Sequence, residues 1–307
     1  MEELLNRLIE HFAFLAPQNG LTRLSGGSNS GAYRVGQYVV KISTLPDKDQ
    51  FEREAAVMDR LRNKICVPRV LVVDTSRQLI PMNFLIQSYV PGPLLADCWD
   101  DLTKEDKRRN LIHICDQIEA IHELTRDSVP PLRGDQIAWY LDECAQRGIP
   151  NDISKKLSRF VQAHAHLAGR NAVVTHGDLQ FYNMIRPPGG HDVYFIDFDS
   201  VFSTAPEREI LALAHAAYRQ DASATRYIIP SYIDNMALVR AYRPDWFGSD
   251  ELVATMRLFA VPRVCYMFDC GLNPRPSESE GRLQYQLLFE DPIWESYMRG
   301  EAIDRLI

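Results

Sequence analysis

Apolar residues recur along this chain with two periods, and the change from one to the other divides it. A first helical stripe, Leu5, Leu8 and Phe12, is followed by β-type runs at Leu21–Leu24, Ala32–Val35, Tyr38–Ile42, Val67–Val73 and Asn83–Tyr89. Gly-, Ser- and Pro-containing turns join these runs, which predicts a small antiparallel sheet. A helix over 47–62 interrupts it, with Phe51, Ala55, Met58 and Leu61 on one stripe. Val90-Pro91-Gly92-Pro93 ends the β-type pattern, and the division is placed there: residues 1–90 form one lobe and 91–307 another. From Thr103 the period is helical, clearest in Leu111, Ile114, Cys115, Ile118 and Ile121, then over 137–147 and 153–167. Two short apolar runs, Val173–Thr175 and Val193–Ile196, flank a polar loop. Beyond them the spacing predicts a helix over 207–218 and a helical, aromatic-rich remainder in which Pro262 kinks or divides the helix around 252–268.

Composition narrows the classes little. The 307 residues are 46% hydrophobic and 24% charged, which is ordinary for a globular protein and argues against disorder. A net charge of -7 and a pI near 5.7 argue against nucleic acid bound by bulk electrostatics. Cys66, Cys98, Cys115, Cys144, Cys265 and Cys270 contain no Cys-x-x-Cys pair, so they read as reduced thiols of a cytoplasmic protein. The acid-bearing first helix reads as neither signal peptide nor membrane anchor, and no apolar run reaches spanning length.

The chemistry concentrates in the loop between the two apolar runs. His176-Gly177-Asp178, Asn183 after four intervening residues, a Pro-Gly turn and Ile196-Asp197-Phe198-Asp199 set one amide and three carboxylates on loops at strand ends. A carboxylate beside a hydroxyl can take its proton, and an Asn with a second carboxylate suits a hard cation such as Mg²⁺. A lone Gly-Asp pair is ordinary turn chemistry; the ordered set is far more specific. Lys41 lies inside a β-type run, where a charge usually faces solvent, but Glu54 falls on the apolar stripe of the next helix and needs a buried cation. Glu52 should face solvent. The turn Ser25–Gly31 could cover nucleotide phosphates with the amides of Gly26 and Gly27 and the hydroxyl of Ser28, although most Gly-Ser turns only join strands.

On these motifs the chain resembles the aminoglycoside phosphotransferase family, related to choline kinases and protein kinases, from about Leu21 to about Tyr218. The resemblance implies an α+β, bilobal protein-kinase-like fold with a small antiparallel-sheet N-lobe and a mostly helical C-lobe. It implies an Mg²⁺-dependent kinase moving the γ-phosphate of ATP or GTP to a hydroxyl of a small molecule such as an aminoglycoside or another antibiotic. A metabolic kinase of the choline or homoserine type and a nucleotide-binding pseudokinase or structural protein are the alternatives. No nucleic acid or membrane partner is expected, and the chain should be a monomer or weak homodimer. Asp178 becomes the base and Asn183, Asp197 and Asp199 the metal ligands. Lys41, held by Glu54, contacts phosphates. Gln87 to Val90, with Gln87 and Tyr89 as nucleotide-binding residues, form the hinge whose backbone bonds the base ring. His176, Gln180 and Glu209 take supporting roles, Glu209 standing where the family has an Asp that braces the catalytic loop.

Three departures stand out. Gln180 replaces the usual His, Phe181-Tyr182 replace a frequent Pro-Gly, and only about ten residues separate the metal loop from the next helix, too few for a phosphorylated activation loop. Residues 201–307 carry no lysine and more acids than arginines, and with Tyr232, Trp246, Tyr266 and Trp294 they are the expected source of an acceptor pocket.

Overall fold

A computed structural model describes residues 1–15, 21–24, 30–43, 50–190, 192–215, 230–268 and 278–302. Gly26, Gly27, Ser28 and Cys270, and the end of the helix expected over 207–218, lie outside them. In chain order the elements are α1 (Glu2–His11), β1 (Leu21–Arg23), β2 (Ser30–Val35), β3 (Tyr38–Ser43), α2 (Gln50–Leu61), β4 (Val70–Asp74), β5 (Phe84–Ser88), α3 (Leu95–Cys98), α4 (Lys104–His122), α5 (Gly134–Arg147), α6 (Asn151–His164), β6 (Val173–Thr175), β7 (Met184–Ile185), β8 (Tyr194–Phe195), β9 (Phe202–Thr204), α7 (Glu207–His215), α8 (Asn235–Tyr242), α9 (Leu252–Phe268), α10 (Glu278–Phe289) and α11 (Pro292–Met298). They form two compact units, and the first is discontinuous: Met1–Pro93 together with Asn183–Ser200.

In the first unit β1–β5 form an antiparallel sheet of order β1-β2-β3-β5-β4. Leu5 and Leu8 of α1 join Tyr33, Val35, Val40, Ile42, Phe84 and Ile86 in one apolar cluster on one face of the sheet. Each such fully buried aliphatic side chain contributes about 1.5–3 kcal/mol. Phe51, Glu54, Val57, Met58 and Leu61 are the buried positions of α2, and Glu52 is exposed. β3 lies between β2 and β5 and is buried from Val39 to Ser43. It therefore has no solvated face for Lys41 to occupy.

The β7–β8 hairpin, paired Met184 to Phe195 and Ile185 to Tyr194, also belongs to this unit. Phe195 N–H donates to the Cys66 carbonyl at 2.9 Å and Arg186 N–H to the Pro93 carbonyl at 3.1 Å. Gly92 is needed there. At φ +137° it brings its backbone so close that an added Cβ would lie 2.3 Å from the Arg186 carbonyl oxygen. The compact units thus depart from the contiguous division at residue 90, because hydrogen bonds carry residues 183–200 back to the sheet-bearing segment.

The second unit comprises Leu94–Tyr182 and Val201–Ile307. Thr103 caps α4, its hydroxyl accepting from Asp106 N–H at 3.1 Å, and the Leu111-to-Ile121 stripe is buried as its period requires. α9 runs undivided through Pro262: nearly all its apolar residues are buried against neighbouring helices, and that packing outweighs the lost backbone bond. β9 pairs antiparallel with β6, and Ala205 N–H donates to the Ala168 carbonyl at 2.9 Å. The short segment after the metal loop is therefore a strand. Cys66, Cys98, Cys115, Cys144 and Cys265 are in no disulfide, and burial pushes the Cys115 thiol up to about 12. Among the described residues no helix is long and apolar enough to cross a membrane.

Two histidines tie stability of this unit to pH. His122 ends the α4 stripe beside Trp246, and burial, opposed by Glu119, pushes its imidazole down to about 4. Burial, then Arg263, holds His215 well below its ordinary value. Unfolded, both take up protons near pH 6.5; folded, they resist. Their contribution is complete above pH 6.5 and is lost as pH falls, that of His122 on the way down to about 4. Urea titrations should show unfolding free energy dropping between pH 7 and 5, His122 accounting for about 2 kcal/mol of the drop, and His122→Gln should remove that share. A flat profile over that window would contradict the burial of both rings.

Candidate active site

The first unit assembles a cation among carboxylates. Lys41 Nζ lies 2.8 and 2.9 Å from the two Glu54 carboxylate oxygens and 2.6 Å from Asp197 Oδ1. Glu54 is fully buried, Lys41 nearly so, and Asp197 keeps partial access to solvent. Burial opposes the ammonium, but Glu54 and then Asp197 outweigh it, so Lys41 is raised above the ordinary lysine value. β3 delivers Lys41 toward α2, and the apolar stripe delivers Glu54 to it.

Asp197 adopts φ +68°, a left-handed conformation that Asp tolerates better than bulkier residues. Its neighbour Ile196 donates its N–H to the Asn183 carbonyl at 3.0 Å, tying together the two loop ends that carry Asn183 and Asp197. Asp199 lies in the turn Phe198–Ser200, accepts from Ser200 Oγ at 2.9 Å, and is close enough to act electrostatically on Glu54. Asn183, Asp197 and Asp199 offer oxygen donors only. That donor set fits a hard cation such as Mg²⁺, and the Lys41 ammonium already sits on one of its oxygens.

Part of the expected hinge, Gln87 to Val90, is taken up by the sheet. The backbone of Gln87 is taken up in the sheet, paired with Val39 on one side and Val70 on the other. Ser88 N–H goes to Arg69 and Tyr89 N–H to Gln37, both at 2.8 Å. These amides continue the sheet ladder, so neither Gln87 nor Tyr89 offers the N–H for a base ring, and the next backbone donor along the chain is Val90. The Gln87 side chain is buried, and its Oε1 has no partner among the described residues. Tyr89 instead stacks under the Arg34 guanidinium at 4.0 Å.

The catalytic-loop candidates lie in the second unit. Leu179 and Phe181 are buried, and Phe181 sits 4.6 Å from Trp99 and 5.5 Å from Tyr232 between ring centroids. These anchors hold the loop from below. Gln180 Nε2 donates to Asp178 Oδ1 at 2.6 Å, and Asp178 N–H reaches the Nδ1 of buried His176 at 3.4 Å. Glu209 accepts from Gly177 N–H at 3.2 Å, so the extra methylene still reaches the loop backbone. Arg208, which the sequence reading overlooked, donates to the Gly177 carbonyl at 2.8 Å. Its place beside Glu209 was the available signal, hidden because charged residues at a helix start are usually solvated.

The aromatics expected to line an acceptor pocket separate. Trp294 is core, packed on Tyr297, and Tyr232 is buried under the catalytic loop. Trp246 donates to Glu119 and lies under Arg243, while Tyr266 is exposed on α9.

A sheet lysine held by a helix glutamate, followed in the chain by an Asp- and Asn-bearing loop and a second acidic loop, defines a kinase-type phosphotransferase. The profile of the phosphotransferase enzyme family matches residues 20–242, and the chain belongs to that family. Its fold is α+β and protein-kinase-like, with an antiparallel-sheet N-terminal region and a mostly helical remainder. The aminoglycoside phosphotransferase APH(2")-IIia, solved with GDP and kanamycin, is 16% identical with a TM-score of 0.73, covering 95% of this chain and 99% of its own. A thermostable mutant of APH(4)-Ia, solved with ADP and hygromycin B, is 15% identical with a TM-score of 0.67 and covers 97% and 98%. ADP-bound APH(2'')-Ib is 15% identical with a TM-score of 0.60, covering 98% and 97%. No curated protein sequence matches the chain.

Proposed function

We propose that this chain transfers the γ-phosphoryl group of ATP or GTP to a hydroxyl of a small molecule, an aminoglycoside or another antibiotic being the first class to try. The observation that carries this reading is the buried Lys41 bridging Glu54 and Asp197 at 2.6–2.9 Å. Phosphoryl transfer asks a protein for positioning and charge neutralisation, and a fixed ammonium supplies both to a phosphate oxygen. Asp178 accepts the proton of the attacking hydroxyl, with Gln180 holding one of its oxygens. Asn183 and Asp197 would hold Mg²⁺, assisted by Asp199, and the ion would neutralise phosphate charge. Gly26, Gly27 and Ser28 belong to the same reading as the cover over the phosphates. The neighbours' GDP and ADP support a purine nucleotide without choosing between ATP and GTP. The pseudokinase alternative is disfavoured because Lys41, Asp178, Asn183 and Asp197 are all present.

Mass spectrometry of a mixed acceptor panel tests it. Aminoglycosides, other antibiotics, amino alcohols and sugars are incubated with protein, Mg²⁺ and ATP or GTP. A product 80 Da heavier, about the mass that one phosphoryl group adds, supports the reading and names the acceptor. A product among the amino alcohols alone would move the chain to the metabolic kinases, and no product at all despite nucleotide binding would favour a binder. Asp197→Asn should abolish the Mg²⁺-dependent part of nucleotide affinity, by about tenfold or more in calorimetry with and without Mg²⁺. An unchanged Mg²⁺ response would remove Asp197 from the ligand set.

A further inference from the structure

Gly177 has φ +85° and no Cβ, so the two peptide planes that meet at it are the softest point of the catalytic loop. Both planes are held by consecutive residues of one helix turn. Glu209 accepts from Gly177 N–H at 3.2 Å, which fixes the His176–Gly177 peptide. Arg208 Nη2 donates to the Gly177 carbonyl at 2.8 Å, which fixes the Gly177–Asp178 peptide. The second plane sets the direction in which the Asp178 side chain leaves the backbone.

The placement of Arg208 is costly without such a task. Its guanidinium lies over the Phe202 ring at 5.3 Å, and its Nη1 is buried with no partner among the described residues. Burial works against its charge, while Glu209 and then Asp178 favour it, so Asp178 is within its electrostatic reach. The helix start is anchored independently of the loop. Glu207 bonds Arg170 at 2.8 Å, and Arg170 also reaches Ser249 Oγ at 2.8 Å and Glu251. From that fixed base residues 208 and 209 reach the loop, and an ordinary charged helix start becomes a two-handed hold on one glycine.

We infer that Arg208 is a positioning residue for phosphoryl transfer: by gripping the Gly177 carbonyl it prevents the Gly177–Asp178 peptide from flipping and keeps the Asp178 carboxylate aimed at the acceptor hydroxyl. This rests on the phosphotransferase reading, in which Asp178 is the base.

The test compares wild type, Arg208→Met and Arg208→Lys by two readouts. Hydrogen exchange is followed over residues 176–180, with α4 as internal control, and Mg²⁺-dependent hydrolysis of ATP and GTP is measured with water as acceptor. Arg208→Met should speed exchange in the loop and lower kcat by about 10²-fold, the scale of a small misplacement of a reacting group, while KM for nucleotide stays within about twofold. Arg208→Lys, which keeps one donor for the carbonyl, should recover part of both losses; an effect on overall folding alone would show no such split and no such rescue. Unchanged loop exchange in Arg208→Met overturns the inference, as does faster exchange with a wild-type kcat. If wild type hydrolyses neither nucleotide, the phosphotransferase reading is the one damaged, and loop exchange alone decides the grip on Gly177. If Arg208→Met does not fold, Arg208→Lys decides by the same two measures.

Discussion

Asp178→Asn is expected to remove phosphoryl transfer almost completely while leaving nucleotide binding intact. The substitution preserves the shape of the loop: Asn keeps a carbonyl oxygen that can still accept from Gln180 Nε2, now 2.6 Å from Asp178 Oδ1. It also leaves untouched the backbone bonds from Gly177 to Glu209 and Arg208. What disappears is the ability to take a proton. General-base catalysis contributes about 10²–10⁴-fold, so kcat on the acceptor found in the panel should fall by that factor. Nucleotide affinity by calorimetry should stay within about twofold, since Lys41, Asn183 and Asp197 are unaltered; a two-fold change is about 0.4 kcal/mol. Turnover near the wild-type rate would show that another group accepts the proton.

Lys41→Met is expected to have the largest effect on stability. It leaves Glu54, fully buried, without its counter-charge, and breaking a buried pair in this way costs about 3–5 kcal/mol. Asp197 has partial access to water and suffers less. The urea midpoint should fall sharply and nucleotide affinity with it. Lys41→Met combined with Glu54→Leu should restore most of the stability, because replacing both members of a buried pair with apolar residues is often neutral. It should not restore nucleotide binding. That split separates the two tasks of the pair: the glutamate orients, and the ammonium meets phosphate. A Lys41→Met protein as stable as wild type would mean that the pair is hydrated in solution.

The motifs and most elements were legible in the chain. The β-type runs at 32–35, 38–42 and 83–89 marked strands, and the spacing of Phe51, Met58 and Leu61 marked the helix that presents Glu54. Period is a local property, set by how successive side chains leave a strand or a helix, so it survives without knowledge of neighbours. The failures share a different character. Tyr89 lies in the expected hinge, yet its N–H belongs to Gln37, a partner that only the sheet register supplies. Trp294 and Tyr232 were among the four aromatics from which an acceptor pocket was expected; helix packing buries both. β9 is three residues long, too short for any period, and exists because β6 offers an edge.

The chain by itself determined most of the strands and helices, and that an Asp, an Asn and two further Asp stand at the spacing of a phosphotransferase loop. Only the tertiary structure decided which charges are buried and what they hold. Lys41 has no solvated face because β3 is flanked by two strands and covered on both sides. Residues 183–200 join the first unit through bonds to Cys66 and Pro93. Arg208 and Glu209 turn inward because the Gly177 peptides need partners. A charge leaves water only where non-local neighbours compensate it, and those neighbours are brought together by the fold rather than by adjacency in the chain.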